Sequence, residues 1–80
     1  MKNSVILVVD DDPKIRKLLR RCFEGEGSSV FEAGDKAATL TAIATRQIDL
    51  ITLDLEMPRM DGIIQKLQLW LQPSEIFRYA

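Results

Sequence analysis

The sequence predicts an α/β domain built on a parallel sheet, and three observations lead to that class. The run at residues 5–9 is continuously aliphatic and lacks the alternation of apolar and polar residues that marks a strand with one solvent-facing side, and residues 49–55 are again mostly aliphatic. Continuous runs of this kind are typical of strands that are buried on both sides. Between them lies a segment whose apolar residues recur at helical spacing. Parallel strands need long crossovers, so strands that alternate with helices favour a parallel sheet with flanking helices.

The composition fits one small globular domain and excludes several classes of protein. Of the 80 residues, 46% are hydrophobic and 29% are charged, which is close to the globular average. The net charge of −1 argues against a general nucleic-acid binder. One cysteine and no histidine exclude an internal disulfide, a Cys/His zinc site and imidazole catalysis. The run at 5–9 is too short for a signal peptide or a membrane span, so we expect a cytoplasmic protein without membrane contact.

The first helix is predicted from its start signal and from its apolar stripe. Asp12 is the expected N-cap and Pro13 the expected first helical residue, while Gly25 and Gly27 are expected to end the helix. The predicted buried stripe consists of Ile15, Leu18, Leu19, Cys22 and Phe23. The basic residues of the same segment are predicted to form its solvated face: Lys14, Arg16, Lys17, Arg20 and Arg21.

The remaining elements follow in alternation. A short strand is predicted over 28–33, a helix over 36–46 and a third strand over 49–55, followed by a loop over 57–62 and a helix over 63–72. The inner face of the second helix is predicted to contain Ala37, Leu40, Ala44 and Ile43. After Pro73, the residues Ile76, Phe77 and Tyr79 would suit a short strand. We expect right-handed crossovers between the parallel strands and the strand order 2-1-3.

Acidic residues follow two of the predicted strands. Asp10, Asp11 and Asp12 come at the end of the first strand, and Asp54 comes at the end of the third. In the order 2-1-3 these two ends are neighbours at a topological switch point, where ligands bind in such sheets. Two carboxylates about 4 Å apart repel by roughly 4 kcal/mol at an effective dielectric near 20. The cluster therefore predicts a bound cation, and carboxylate oxygens suit Mg²⁺ or Mn²⁺.

Two segments of the sequence carry a family resemblance. Val-Ile-Leu-Val-Val-Asp-Asp-Asp-Pro and Leu-Ile-Thr-Leu-Asp-Leu-Glu-Met-Pro-Arg-Met-Asp-Gly resemble the receiver domain of bacterial two-component response regulators. The resemblance covers about residues 4–63 and implies an incomplete flavodoxin-like fold, since the complete fold has the strand order 2-1-3-4-5. It divides the single domain into a receiver-like part at 1–63 and a divergent helix and tail at 64–80.

The resemblance also implies roles for individual residues. Asp54 matches the aspartate that accepts a phosphoryl group from the phosphohistidine of a sensor histidine kinase or a phosphotransfer protein. Asp11 matches a direct ligand of the metal, and Asp10 matches its acidic neighbour that acts through water. Glu56 matches the position whose backbone carbonyl binds the metal. The resemblance thus implies a signalling domain that is not an enzyme in the ordinary sense.

The resemblance ends before the family's later strands, which carry a Ser or Thr and a Lys that contact the phosphoryl group. Without a fourth strand, the outer edge of the third strand would hold unpaired backbone groups that attract another chain. This predicts a homodimer through the edge of strand 3 and the third helix. The alternative is a degenerate receiver that is not phosphorylated and acts only as a dimerisation or partner-binding module. A remnant with no independent role is a third possibility.

Overall fold

Four parallel strands form a single sheet in a computed structural model that describes residues 3–54 and the backbone of residues 76–79. The elements are β1 (Val5–Val9), α1 (Pro13–Gly25), β2 (Ser29–Ala33), α2 (Lys36–Thr45), β3 (Leu50–Asp54) and β4 (Ile76–Tyr79). The strand order is β2-β1-β3-β4, with every neighbouring pair parallel. The predicted α/β class and the predicted order 2-1-3 are therefore confirmed, and β4 extends the sheet by one strand.

The core lies on both faces of β1, as its unbroken apolar sequence predicts. Residues 6–9 are completely buried. Alternate side chains of a strand point to opposite faces, so Leu7 and Val9 pack in a cluster on the α2 side, whereas Ile6 and Val8 pack in a second cluster with α1. Burial on both sides explains why the strand contains no polar residue before Asp10.

The helix α1 begins as the sequence predicts but buries less of its apolar stripe. The Asp12 side chain accepts a hydrogen bond from the Lys14 N–H at 2.9 Å. Leu19 and Phe23 pack on the sheet, whereas the predicted burial of Ile15, Leu18 and Cys22 is wrong, since Ile15 is 37% and Leu18 58% exposed and Cys22 is exposed as well. The helix packs on β1 and β2, and this contact covers only one side of the stripe.

The inner face of α2 also differs from the prediction. Thr39 and Ile43 are its buried residues, whereas Ala37 and Ala44 are exposed. Alanine and threonine occur all around this helix, so apolar spacing does not single out one face. Thr39 can be buried because its hydroxyl donates a hydrogen bond to the Asp35 carbonyl at 2.8 Å.

The outer edge of β3 is occupied, which corrects the predicted dimer contact. β4 pairs with β3 in the register Ile51↔Ile76 to Asp54↔Tyr79, and this confirms the short strand expected after Pro73. Two copies therefore cannot join through β3–β3′ pairing while β4 holds that edge. The predicted loop at 57–62 and the predicted helix at 63–72, the other part of the dimer contact, lie outside the described residues.

Neither helix of the described segment 3–54 has the length and apolar content needed to cross a bilayer. The helices contain 13 and 10 residues, and a spanning helix needs about 20.

Candidate metal centre

The ends of β1 and β3 bring the predicted acidic residues to one edge of the sheet. Val9 pairs with Leu53 in the parallel ladder, so Asp10 follows β1 at the level where Asp54 ends β3. Because both strands run in the same direction, their carboxyl ends meet on the same side. The strand order alone thus places these two residues side by side.

Three carboxylates converge at this edge. One oxygen from each of Asp10, Asp11 and Asp54 lies within 4.8 Å of the others. Asp10 is buried at 2% exposure, Asp54 is half-buried and Asp11 is exposed. The cluster is therefore anchored in the protein on one side and open to solvent on the other, and this confirms the convergence that the sequence predicts.

Backbone and side-chain hydrogen bonds fix the position of Asp10. Its N–H donates to the Ala33 carbonyl at 3.1 Å, which ties the end of β1 to the end of β2. Its carboxylate oxygen Oδ1 accepts the Asp12 N–H at 2.9 Å. Its carbonyl accepts a hydrogen bond from Arg16 Nη1 at 2.7 Å. Asp10 is therefore held by three elements rather than by β1 alone.

The three consecutive aspartates have different tasks. The carboxylate of Asp12 is turned to the start of α1, where it accepts the Lys14 N–H, and it is not part of the cluster. A negative charge at a helix N-terminus is favourable because the first N–H groups carry partial positive charge. Asp10 and Asp11 remain as the pair that faces Asp54.

Arg16 lies near the cluster and not on the solvated face of α1 where its basic neighbours predict it. Its side chain is only 20% exposed, and Nε donates to Glu32 at 3.2 Å. The signal was available in the sequence, since Arg16 precedes the two packed residues Leu19 and Phe23 by three and seven positions. Residues at that spacing share a helix face.

Glu32 joins Arg16 to a second arginine on α1. Arg20 Nη1 lies 3.1 Å from Glu32 Oε2, and Arg20 Nε lies 3.2 Å from Glu24 Oε2. The hydrogen bonds to Glu32 and then to Glu24 raise the pKa of Arg20. Both guanidinium groups are thus paired to carboxylates on the side of α1 that faces β2.

The donor set of the cluster suits a hard dication. Mg²⁺ binds oxygen ligands at 2.0–2.1 Å, so two oxygens on one ion are at most about 4.2 Å apart. The three carboxylate oxygens, within 4.8 Å of one another, come close to that spacing. Asp10, Asp11 and Asp54 are therefore the residues that would hold Mg²⁺ or Mn²⁺. Glu56, whose backbone carbonyl is the fourth predicted ligand, lies outside the described residues.

Comparison with known proteins gives the same family from sequence and from structure. The family model of the response regulator receiver domain matches residues 6–74. The KDP operon transcriptional regulatory protein KdpE of Escherichia coli (strain K12) is 46% identical over 67 residues, which are 81% of this chain and 30% of KdpE. The chain thus spans less than a third of the length of this relative.

Two solved structures of one response regulator resemble the fold. TrrA from Thermotoga maritima in complex with Mg²⁺-BeF has a TM-score of 0.72 and 32% identity, covering 98% of this chain and 66% of that chain. TrrA in complex with the histidine kinase ThkA has a TM-score of 0.80 and 32% identity, covering 98% of this chain and 67% of that chain.

The strand order, the acidic edge and the match over residues 6–74 agree. The chain therefore belongs to the family of response regulator receiver domains, the receiving modules of two-component signal transduction.

Proposed function

We propose that this domain accepts a phosphoryl group on the carboxylate of Asp54, with Mg²⁺ held by Asp10, Asp11 and Asp54. The observation that carries the proposal is the convergence of these carboxylates within 4.8 Å at the ends of β1 and β3. Like charges at this distance repel one another, so the arrangement is favourable only with a cation. The predicted backbone ligand at Glu56 belongs to the same proposal. Mn²⁺ would serve in place of Mg²⁺ because it prefers the same ligands.

Differences in burial support Asp54, rather than Asp10 or Asp11, as the proposed nucleophile. Asp10 is buried at 2% exposure and its carboxylate accepts the Asp12 N–H, so it is poorly placed to reach a donor. Asp11 is exposed, whereas Asp54 is half-buried at the end of a central strand. A carboxylate nucleophile needs a defined position, access for the donor and a nearby cation. Asp54 meets these requirements best.

The proposed step is a transfer of one phosphoryl group. An Asp54 oxygen forms the new bond to phosphorus while the bond from phosphorus to the donor nitrogen breaks. The bonding electrons leave with the donor imidazole, and Asp54 becomes a mixed carboxylic–phosphoric anhydride. When bound, Mg²⁺ offsets the charge of the phosphoryl oxygens. Asp10 and Asp11 orient the site, and because Asp54 is itself modified we do not propose an enzyme that turns over a separate substrate.

We infer that the donor is a sensor histidine kinase or a phosphotransfer protein in the cytoplasm. The support is that the similar TrrA was solved in complex with the histidine kinase ThkA. An output through nucleic-acid binding is not proposed for this domain, whose net charge is −1. A dimer through the β3 edge is not proposed, since that edge is already paired with β4. Sedimentation would measure the oligomeric state.

The alternative is a receiver that binds partners without being phosphorylated. The exposure of Ile15, Leu18 and Cys22 on α1 favours such a role, because apolar side chains on one face are typical of contact surfaces. The alternative function requires neither phosphorylation of Asp54 nor binding of Mg²⁺. The two functions therefore differ in a property that one experiment measures.

The test is the intact mass after incubation with acetyl phosphate, with and without Mg²⁺. We expect an adduct of one phosphoryl group that appears only with Mg²⁺ and is absent in Asp54→Asn. A matched control, Asp35→Asn, removes a carboxylate at the start of α2 and should leave the adduct unchanged. Folded wild-type protein that gains no adduct would support the alternative.

A further inference from the structure

We propose that Arg16 is a positioning residue of the metal centre. Its guanidinium holds the peptide group between Asp10 and Asp11, and in this way sets the direction of both carboxylates toward the cation. The inference rests on the proposed binding of Mg²⁺, but it concerns a residue that lies outside the acidic cluster.

The guanidinium connects α1 to the ends of two strands. Nη1 donates to the Asp10 carbonyl at 2.7 Å, and Nε donates to Glu32 Oε1 at 3.2 Å. The backbone of Arg16 is itself fixed, because its N–H donates to the Asp12 carbonyl in the first turn of α1. One side chain therefore sets the spacing between α1, the end of β1 and β2.

The peptide that Arg16 holds is the one shared by the two acidic residues. A peptide group is planar, so the Asp10 carbonyl defines a plane that also contains the α-carbons of Asp10 and Asp11. Fixing this carbonyl restricts rotation of the plane, and a rotation would move the two carboxylates relative to Asp54. The Asp12 N–H, which donates to Asp10 Oδ1 at 2.9 Å, adds a second restraint on the following peptide.

Gly34 leaves the space that the guanidinium occupies. A β-carbon at position 34 would lie 2.8 Å from Arg16 Nη1 and 3.3 Å from Arg16 Cζ. Both distances are shorter than ordinary van der Waals contact, so any side chain at this position would displace the guanidinium. Because the group is held by Glu32 and by Asp10, a displacement would break one or both hydrogen bonds.

The pairing with Glu32 keeps the arginine oriented in this way. Glu32 is contacted by both Arg16 and Arg20, at 3.2 and 3.1 Å. The Glu32 carboxylate accepts a hydrogen bond from Arg16 Nε, while Arg16 Nη1 donates to the Asp10 carbonyl. A guanidinium can bind two acceptors at once because its donors form a rigid fork, whereas a lysine ammonium is a single point charge.

The experiment compares the Mg²⁺ affinity of Arg16→Lys, Gly34→Ala and the wild-type protein by titration calorimetry. We expect each variant to bind Mg²⁺ about tenfold more weakly, since loss of a group that orients metal ligands costs 10–100-fold in affinity. The control is Arg20→Gln, which removes a positive charge from the same Glu32 network but does not touch Asp10. It should bind Mg²⁺ like the wild type.

Urea unfolding without Mg²⁺ is measured for every variant, so that affinities are compared only under conditions where the protein is folded. If Arg16→Lys fails to fold, Gly34→Ala, which keeps the arginine, carries the test. Variants that lose stability but keep the wild-type affinity would overturn the inference, because Arg16 would then only support the fold. A wild-type protein that binds no Mg²⁺ would overturn both the proposed function and this inference. Mg²⁺ binding without phosphoryl uptake would refute the proposed function alone.

Discussion

Replacing Asp54 by asparagine should stabilise the metal-free domain. The carboxylates of Asp10, Asp11 and Asp54 form three like-charged pairs within 4.8 Å, and Asp54→Asn removes two of them. At 4.8 Å a pair of unit charges repels by about 0.9 kcal/mol in water and by about 3.5 kcal/mol at an effective dielectric of 20. Because Asp11 is exposed and Asp54 is half-buried, the lower value is appropriate for their pair, and it is a lower limit for the pair with the buried Asp10. We expect a gain of at least about 2 kcal/mol in the free energy of unfolding.

Mg²⁺ should cancel the stability advantage of Asp54→Asn. A ligand that binds only the folded state stabilises it by about 2.7 kcal/mol at a concentration 100 times its dissociation constant. The wild type keeps three carboxylate ligands and gains the full amount, whereas the variant has lost one ligand and gains less. The wild type should therefore become at least as stable as Asp54→Asn when Mg²⁺ is raised.

The assay is urea denaturation followed by far-UV circular dichroism, in EDTA and in increasing Mg²⁺ at constant ionic strength. Asp35→Asn serves as the control, because asparagine caps a helix about as well as aspartate and position 35 is the N-cap of α2. If Asp54→Asn is less stable than the wild type in EDTA, and Mg²⁺ leaves the difference unchanged, the electrostatic account of the cluster is refuted.

Three further predictions concern the local contacts of the elements that position the site, and urea denaturation tests each of them. Thr52→Val should raise the free energy of unfolding by up to about 1 kcal/mol, because Thr52 Oγ1 is buried and has no hydrogen-bond partner among the described residues; a loss of stability would contradict this. Asp12→Ala should cost about 1 kcal/mol through loss of the cap on Lys14 N–H, and Asp12→Asn should restore it. Leu18→Ala should lower the free energy of unfolding by less than about 0.5 kcal/mol, because Leu18 is 58% exposed. Leu19→Ala should lower it by more. Equal losses would contradict the exposed position of Leu18.

The sheet and the acidic edge could be predicted because each depends on a strong local signal. The aliphatic run at 5–9 contains no polar residue that would face solvent, and it forms a strand whose residues 6–9 are completely buried. Asp12 followed by Pro13 is an unambiguous helix start, and Asp12 is the observed N-cap. With the expected order 2-1-3, the meeting of Asp10 with Asp54 follows, because the carboxyl ends of neighbouring parallel strands lie at the same edge.

The helix faces could not be predicted as well, since they depend on what covers them. The predicted inner face of α2 is right for Ile43 but wrong for Ala37 and Ala44. The alanines and threonines of this helix show no clear apolar side, and Thr39 is buried with a hydrogen bond to the Asp35 carbonyl. The stripe of α1 is periodic, but periodicity does not say how far the sheet extends beneath it. Leu18 therefore has the right spacing and is still exposed.

The hydrogen-bond partners of the Arg16 side chain and of the β3 backbone edge could not be predicted either. The position of Arg16 among basic residues predicts a solvated side chain, whereas its contacts are with Glu32 on β2 and with the Asp10 carbonyl at the end of β1. The edge of β3 was expected to pair with a second copy, and it pairs with β4 instead. Ile76, Phe77 and Tyr79 predict a short strand late in the chain, but they do not predict that this strand pairs with β3.

The central claim is that Asp54 is the residue that accepts the phosphoryl group, and its most direct test is the position of the modification. Protein incubated with acetyl phosphate and Mg²⁺ is reduced with borohydride, which converts an aspartyl phosphate into homoserine, and the digest is then sequenced by mass spectrometry. The account predicts homoserine at position 54, only when Mg²⁺ is present. Homoserine at position 10, 11 or 12 instead, or none in folded protein, would contradict it.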